Sequence, residues 1–178
     1  YAAAQGARVA WYMSQYLLAR RISGPFKRPG DPKFEPQAPE GDTSRIRAAF
    51  LELFAKDRTN IEAGLYPAPE DIRLERAISA LRSSANFFRD LPNVDQRRLE
   101  RDGTEVREQE KGEGRYPAYY LQNFHYQTGG WLSQDSAKLY DTQVEILFGG
   151  AADAMRRITL GSLARAIRGT DQRKVKLL

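Results

Sequence analysis

The 178-residue chain contains no cysteine, a single histidine, two methionines and two tryptophans. Without cysteine there is no disulfide framework, no thiolate zinc site and no thiol nucleophile. That composition suits a reducing cytoplasm. The lone histidine has no motif-spaced serine or second imidazole beside it, and no carboxylate–histidine pattern completes a metal site, so none is expected. Neither a P-loop nor a GxGxxG is present. Long apolar runs are missing too. The one stretch of suitable length, residues 2–22, is interrupted by Gln5, Arg8, Ser14, Gln15 and Arg20, so neither a secretory signal nor an integral membrane span is expected. Charge is only mildly one-sided, with 28 Lys+Arg against 23 Asp+Glu for a net +5. Such an excess favours an anionic partner, but arginine is scattered through every segment, as on solvated helix faces. Strand patterns of the kind that bind single-stranded nucleic acid are absent, so nucleic acid is not an expected partner.

What is present reads as helix. Residues 2–22 place Val9, Tyr12 and Tyr16 at three- and four-residue steps and end on Arg20 and Arg21, favourable at a helix C-terminus. This amphipathic arm would lie on a membrane surface, on a partner or, more commonly, on its own protein. Residues 23–41 hold five prolines and three glycines, which exclude helix and predict an extended linker. From Asp42 a helical domain is expected to run to residue 172. A first helix over 42–56 has Ile46, Phe50, Leu53 and Phe54 on one face. A second over 70–89 has Leu74, Ile78, Leu81, Ala85 and Phe88 as a packing seam and ends at Pro92. Residues 93–115 are over half charged and predict a loop with some helix. Pro117 would open a short helix to Tyr126. Ser133 would cap a helix over 134–148 with Ala137, Tyr140, Val144 and Leu147 or Phe148 inward. A final helix over 151–167 would bury Met155, Ile158, Leu163 and Ile167. The fold class is therefore all-α, a multi-helix region with an extended arm, and residues 173–178 stand apart from it.

Chemistry is sparse. His125 sits among Tyr119, Tyr120, Phe124, Tyr126 and Trp131. Either this cluster lines a ligand pocket, with His125 as a general base near neutral pH, or it is core and His125 is a hydrogen-bonded structural residue. Asp141 and Glu145 lie four apart on one helix face, three and seven residues after Lys138. As a pair they would serve acid/base or metal chemistry, but an ion pair on the helix surface explains them more simply.

The stretch from Tyr116 to Leu163, YPAYYLQNFHYQTGGWLSQDSAKLYDTQVEILFGGAADAMRRITLGSL, resembles the segment preceding the cofactor domain in bacterial class I S-adenosylmethionine-dependent methyltransferases. Tyr119-Tyr120, Phe124-His125, Gln127, Gly130-Trp131-Leu132-Ser133, Tyr140-Asp141, Val144-Glu145 and Met155-Arg156-Arg157 carry the likeness, over a quarter to a third of the chain. In that group a hydrophobic strand follows and ends in an acidic-x-Gly-x-Gly-x-Gly turn around the cofactor. Here Val175–Leu178 stand where that strand would begin, at the threshold of a Rossmann-type α/β domain, and the glycine turn is not reached. The resemblance implies a helical lid that selects a small-molecule acceptor, with an apolar acceptor slightly favoured by the aromatics. It implies Tyr120, His125 and Tyr140 as groups that orient or deprotonate that acceptor, and Tyr119, Trp131 and Asp141 as contacts to S-adenosylmethionine, which would be held mainly by residues beyond Leu178. These 178 residues alone would then be catalytically silent. The linker would also let the first helix reach a second copy. The competing expectation is a stand-alone helical interaction module with a basic surface.

Overall fold

A computed structural model describes residues 1–23, 30–32, 41–69, 74–109, 116–130 and 133–176. Among them are six α-helices and no strand: α1 (Ala2–Ile22), α2 (Thr43–Glu62), α3 (Leu74–Glu100), α4 (Glu105–Gln109), α5 (Gln134–Leu147) and α6 (Ala152–Ala166), with 3-10 turns at Phe124–Tyr126 and Gln172–Lys174. The all-α expectation for this stretch of chain is met. Most of the Pro/Gly-rich segment lies outside the described residues. Asp31, one of its described members, is tied to Arg101 at 2.9 Å, just past the end of α3. Val175 and Lys176 lie in no regular element, and Leu177 and Leu178, the rest of the expected strand, fall outside the described residues.

Local chemistry explains where two helices start. Asp42 accepts a bond from the Ser44 amide at 2.8 Å and Ser133 accepts one from the Ser136 amide at 3.2 Å, each satisfying a first-turn donor that the helix itself leaves open. α3 departs from expectation. It passes through Pro92 and continues to Glu100, although proline inside a helix removes one hydrogen bond and crowds the preceding turn. The extra turns are anchored from outside. Arg97 donates to the Tyr126 carbonyl at 3.1 Å and to Thr128 Oγ1 at 2.8 Å, and pairs with Glu105 at 3.3 Å. The charged stretch after Pro92 is thus helix first, then turn, then α4. The short helix expected from Pro117 is instead a turn leading into the 3-10 segment.

Layering follows from the contacts. α2 packs on α6, α3 on α5, and α1 lies against both α5 and α3, so the N-terminal helix docks on the body of the protein. The buried faces are not the ones that apolar spacing picks out. α5 turns inward Ser136, Thr142, Glu145 and Ile146, while Tyr140, Leu147 and Phe148 stand in solvent. α3 buries Ser84 and exposes Ile78, Leu81 and Ala85. α6 buries Ala152, Ala154 and Gly161 and exposes Met155. Small and hydrogen-bonding residues let these helices approach closely: a Cβ on Gly161 would meet Asn60 Nδ2 at 3.1 Å. Of the apolar stripes, Ile78, Leu81, Tyr140, Leu147 and Met155 stand in solvent, while Phe88, Val144, Ile158, Leu163 and Ile167 are half-buried.

Candidate functional site

The aromatic segment that the sequence singles out is a surface loop wired from beneath. Asn123, buried, donates to Glu105 Oε2 and to the Gln127 carbonyl, each at 2.8 Å, and accepts from the Val106 amide at 3.2 Å. Thr128 donates to Asp90 at 2.6 Å, and Gln127 donates to the Ser136 carbonyl at 3.1 Å. Gly130 takes a positive φ of 52° directly over Val106, leaving no room for a side chain. On this base His125 and Tyr126 both adopt left-handed conformations, φ 55° and 61°. These are uncommon for residues with a Cβ and persist only where the surroundings impose them.

The expected site residues are placed as follows. Tyr119 and Tyr120 pack against each other with ring centroids 4.7 Å apart, and both are exposed, as are Phe124 and His125. Tyr126 is half-buried, so the described members of the cluster form no closed core, and His125 is exposed rather than buried. Tyr140 projects into solvent from the outer face of α5. Asp141, one residue on, is exposed and paired with Arg156 of α6 at 3.1 Å. Trp131 lies outside the described residues. The expected surface pair of Asp141 and Glu145 is corrected: Glu145 is buried, pairs with Arg8 of α1 at 2.9 Å and accepts the Asp153 amide at 2.8 Å in the first turn of α6. Lys138 pairs with Asp135. Glu145 is thus a three-helix clasp, and its carboxylate suits the positive end of α6.

A sulfonium cofactor needs an enclosed site with aromatic or anionic walls. Tyr119 and Asp141 are both open to solvent, and Asp141 already carries an arginine. By themselves these residues do not fit S-adenosylmethionine, and no chemical step follows from them. No group of three or more metal-ligating side chains occurs among the described residues.

Two further features were not singled out by the sequence reading. The first is a buried charge centre between α2 and α6. Asp57, fully buried, receives Arg157 in a two-pronged contact, Nη2 to Oδ2 at 2.8 Å and Nε to Oδ1 at 3.2 Å. It also accepts the Tyr1 hydroxyl and, at 2.9 Å, the Tyr66 hydroxyl, which itself accepts from Asn60. Asp153 holds the other side of Arg157. Burial favours the neutral acid, but the bonds from Arg157, Tyr1 and Tyr66 outweigh it and hold the Asp57 carboxyl below the usual range. Burial acts on Tyr1 in the same sense as its bond to Asp57, and both push the phenol up. A carboxyl whose folded pKa is depressed contributes stability above its unfolded pKa of about 3.9 and loses it as pH falls through the folded value. Melting temperature should hold between neutrality and about pH 5 and drop below about pH 4, with Asp57→Asn flattening that acid limb. An unchanged acid limb in Asp57→Asn would assign it to other carboxyls. The signal was visible in retrospect: Asp57 and Asn60 continue the three- and four-residue steps of Phe50, Leu53 and Phe54.

The second feature is a groove between α1 and α2. It is open to solvent, has a volume of ≈790 Å³, and is lined by Gly6, Val9 and Met13 from one helix and Ile46, Phe50 and Phe54 from the other, with Arg47, Arg58 and Glu62 of α2 also on its wall. The Gly149 turn adjoins it: a Cβ there would meet Met13 Cε at 2.8 Å and Phe50 Cζ at 3.6 Å. The expected apolar face of α2 is real, and it faces this opening rather than a closed core.

No known protein family, curated protein or solved structure matches the chain. No helix among the described residues is long and apolar enough to cross a membrane.

Proposed function

We infer that this chain is the helical region of an S-adenosylmethionine-dependent methyltransferase, covering an α/β domain that carries the cofactor. The observation that supports it is the ordered apolar surface left in solvent. Ile78 and Leu81 on α3, Tyr140 and Leu147 on α5, and Met155 and Leu160 on α6 are all exposed, whereas the apolar residues buried among the described ones are only Tyr66, Val106, Ile146 and three alanines. Helices that turn apolar stripes outward belong against a second layer. The resemblance of residues 116–163 to methyltransferases names that layer. Within this reading the aromatic loop faces the acceptor, and Tyr120, His125 and Tyr140 orient it once the second layer closes the site.

The same exposed faces would serve a stand-alone helical interaction module, and one experiment separates the two. The reading frame beyond Leu178 should encode an apolar strand and an acidic-x-Gly-x-Gly-x-Gly turn. The full-length product should bind S-adenosylmethionine in a calorimeter, while the 178-residue chain should not. A stop codon after Leu178, or a full-length protein with no affinity for the cofactor, removes the methyltransferase.

A further inference from the structure

We propose that the outer face of α1 is a membrane-contact surface that seats on a bilayer carrying anionic lipid. The first observation is which way the helix is turned. α1 is attached to the body by its polar side: Gln5 and Gln15 are buried, and Arg8 pairs with Glu145 of α5 at 2.9 Å. Its apolar side is left outside. Trp11, Leu17, Leu18 and Ile22 are all exposed, as are Ala7 and Ala10. At 3.6 residues per turn these six share an arc of about 140°, in which Ser14 and Arg21 are the only polar side chains.

The second observation is charge. Residues 1–30 hold five Lys/Arg and no Asp/Glu. Arg20 and Arg21 are exposed at the C-terminal end of α1, where long side chains reach from an apolar surface to lipid phosphates. Across the neighbouring groove Ile46 and Leu51 of α2 are exposed too, and Arg47 lines the same wall. The carboxylate on that wall, Glu62, is held by Arg58 at 2.7 Å. A protein partner is a poorer match. Protein interfaces carry about one hydrogen bond per 100–200 Å². Before Arg21 at its end, this arc offers only Ser14, whose hydroxyl already donates to the Trp11 carbonyl at 2.7 Å. A bilayer asks for no such bonds. Its acyl region takes the aliphatic side chains, its headgroup layer the Trp11 indole, and its negative surface the two arginines.

The surface stands apart from the methyltransferase reading, because its test reads partition onto vesicles rather than cofactor binding. The chain has no cysteine, so Ser14→Cys places a single nitrobenzoxadiazole label in the middle of the exposed arc. The probes are vesicles of equal parts phosphatidylcholine and phosphatidylglycerol, with pure phosphatidylcholine as comparison. The protein should sediment with the mixed vesicles, with the label's emission shifted to the blue, and bind the neutral ones at least about tenfold more weakly. Arg20→Gln with Arg21→Gln should weaken binding to the mixed vesicles roughly 10- to 30-fold and change binding to the neutral ones by less than about twofold. Leu18→Gln with Ile22→Gln should weaken both at least about tenfold, while the melting temperature is held because both positions are exposed. Absence of binding to the mixed vesicles overturns the proposal. So does binding that leaves the label unshifted or survives Leu18→Gln with Ile22→Gln, since that is adsorption by net charge alone. A dimer that forms at the assay concentration and is dissolved by the same two substitutions would assign the face to a second copy and overturn it as well.

Discussion

Arg157→Leu should destabilise the protein by about 3–5 kcal/mol, because it leaves the Asp57 carboxylate buried without its charge partner. Asp57 has no exposed surface on which to recover water, and the two hydroxyls it accepts, from Tyr1 and Tyr66, cannot neutralise a full charge. A domain of this size has a stability of only about 5–15 kcal/mol, so chemical denaturation should show the loss as a large fall in midpoint. The sign of the double variant is the diagnostic. Replacing both partners, Asp57→Leu with Arg157→Leu, removes the buried charge altogether and should be less damaging than Arg157→Leu alone. It should not return fully to the parent, since the Tyr66 hydroxyl would lose its acceptor and keep only the bond from Asn60. If the two substitutions simply add, the pair is not coupled as the contact geometry requires.

Gly150→Ala is the second large effect, at about 2–5 kcal/mol. Two costs coincide at this position. Gly150 sits at φ +82°, where a Cβ is strained, and that Cβ would lie 2.9 Å from the Arg8 carbonyl oxygen and 3.1 Å from Val9 Cα. Both neighbours are α1 backbone, so nothing flexible can move aside; the helix itself must retreat and loosen the Arg8–Glu145 pair. Gly64→Ala isolates the first cost. Gly64 also has a positive φ, +68°, but nothing lies within 4 Å of its would-be Cβ, and its replacement should cost only about 1–2 kcal/mol. Thermal melts of the two variants side by side check the argument: comparable losses would mean that α1 is not packed against the Gly149-Gly150 turn.

The helices themselves were legible. Residues 2–22 coincide with α1, and the spans capped by Asp42 and Ser133 begin where those side chains predict, because capping and terminal charge are local physics. Pro92 misled the boundary of α3, since the interactions that carry the helix past it come from Tyr126, Thr128 and Glu105, distant in sequence. The candidate site was legible only as a string. Tyr119, Tyr120, His125 and Tyr140 were chosen by composition and resemblance, and all four are exposed. Gln5, an interruption of the apolar pattern of residues 2–22 in the sequence, is buried in the structure.

By itself, then, the sequence determined the all-helical class and the starts of α1, α2 and α5, since these follow from periodicity and caps. Only the tertiary structure decided which face of each helix is inside. Apolar spacing identifies the stripe a helix needs to cover, but not whether the cover is present. In α3 and α5 small and polar side chains are turned inward, where Ser84, Ser136 and Glu145 permit close approach and clasping, while Ile78, Leu81, Tyr140 and Leu147 stand in solvent. Pairing Asp57 with Arg157 across a hundred residues was equally invisible beforehand, because a charge is stable in the interior only once its partner has been brought to it by the fold.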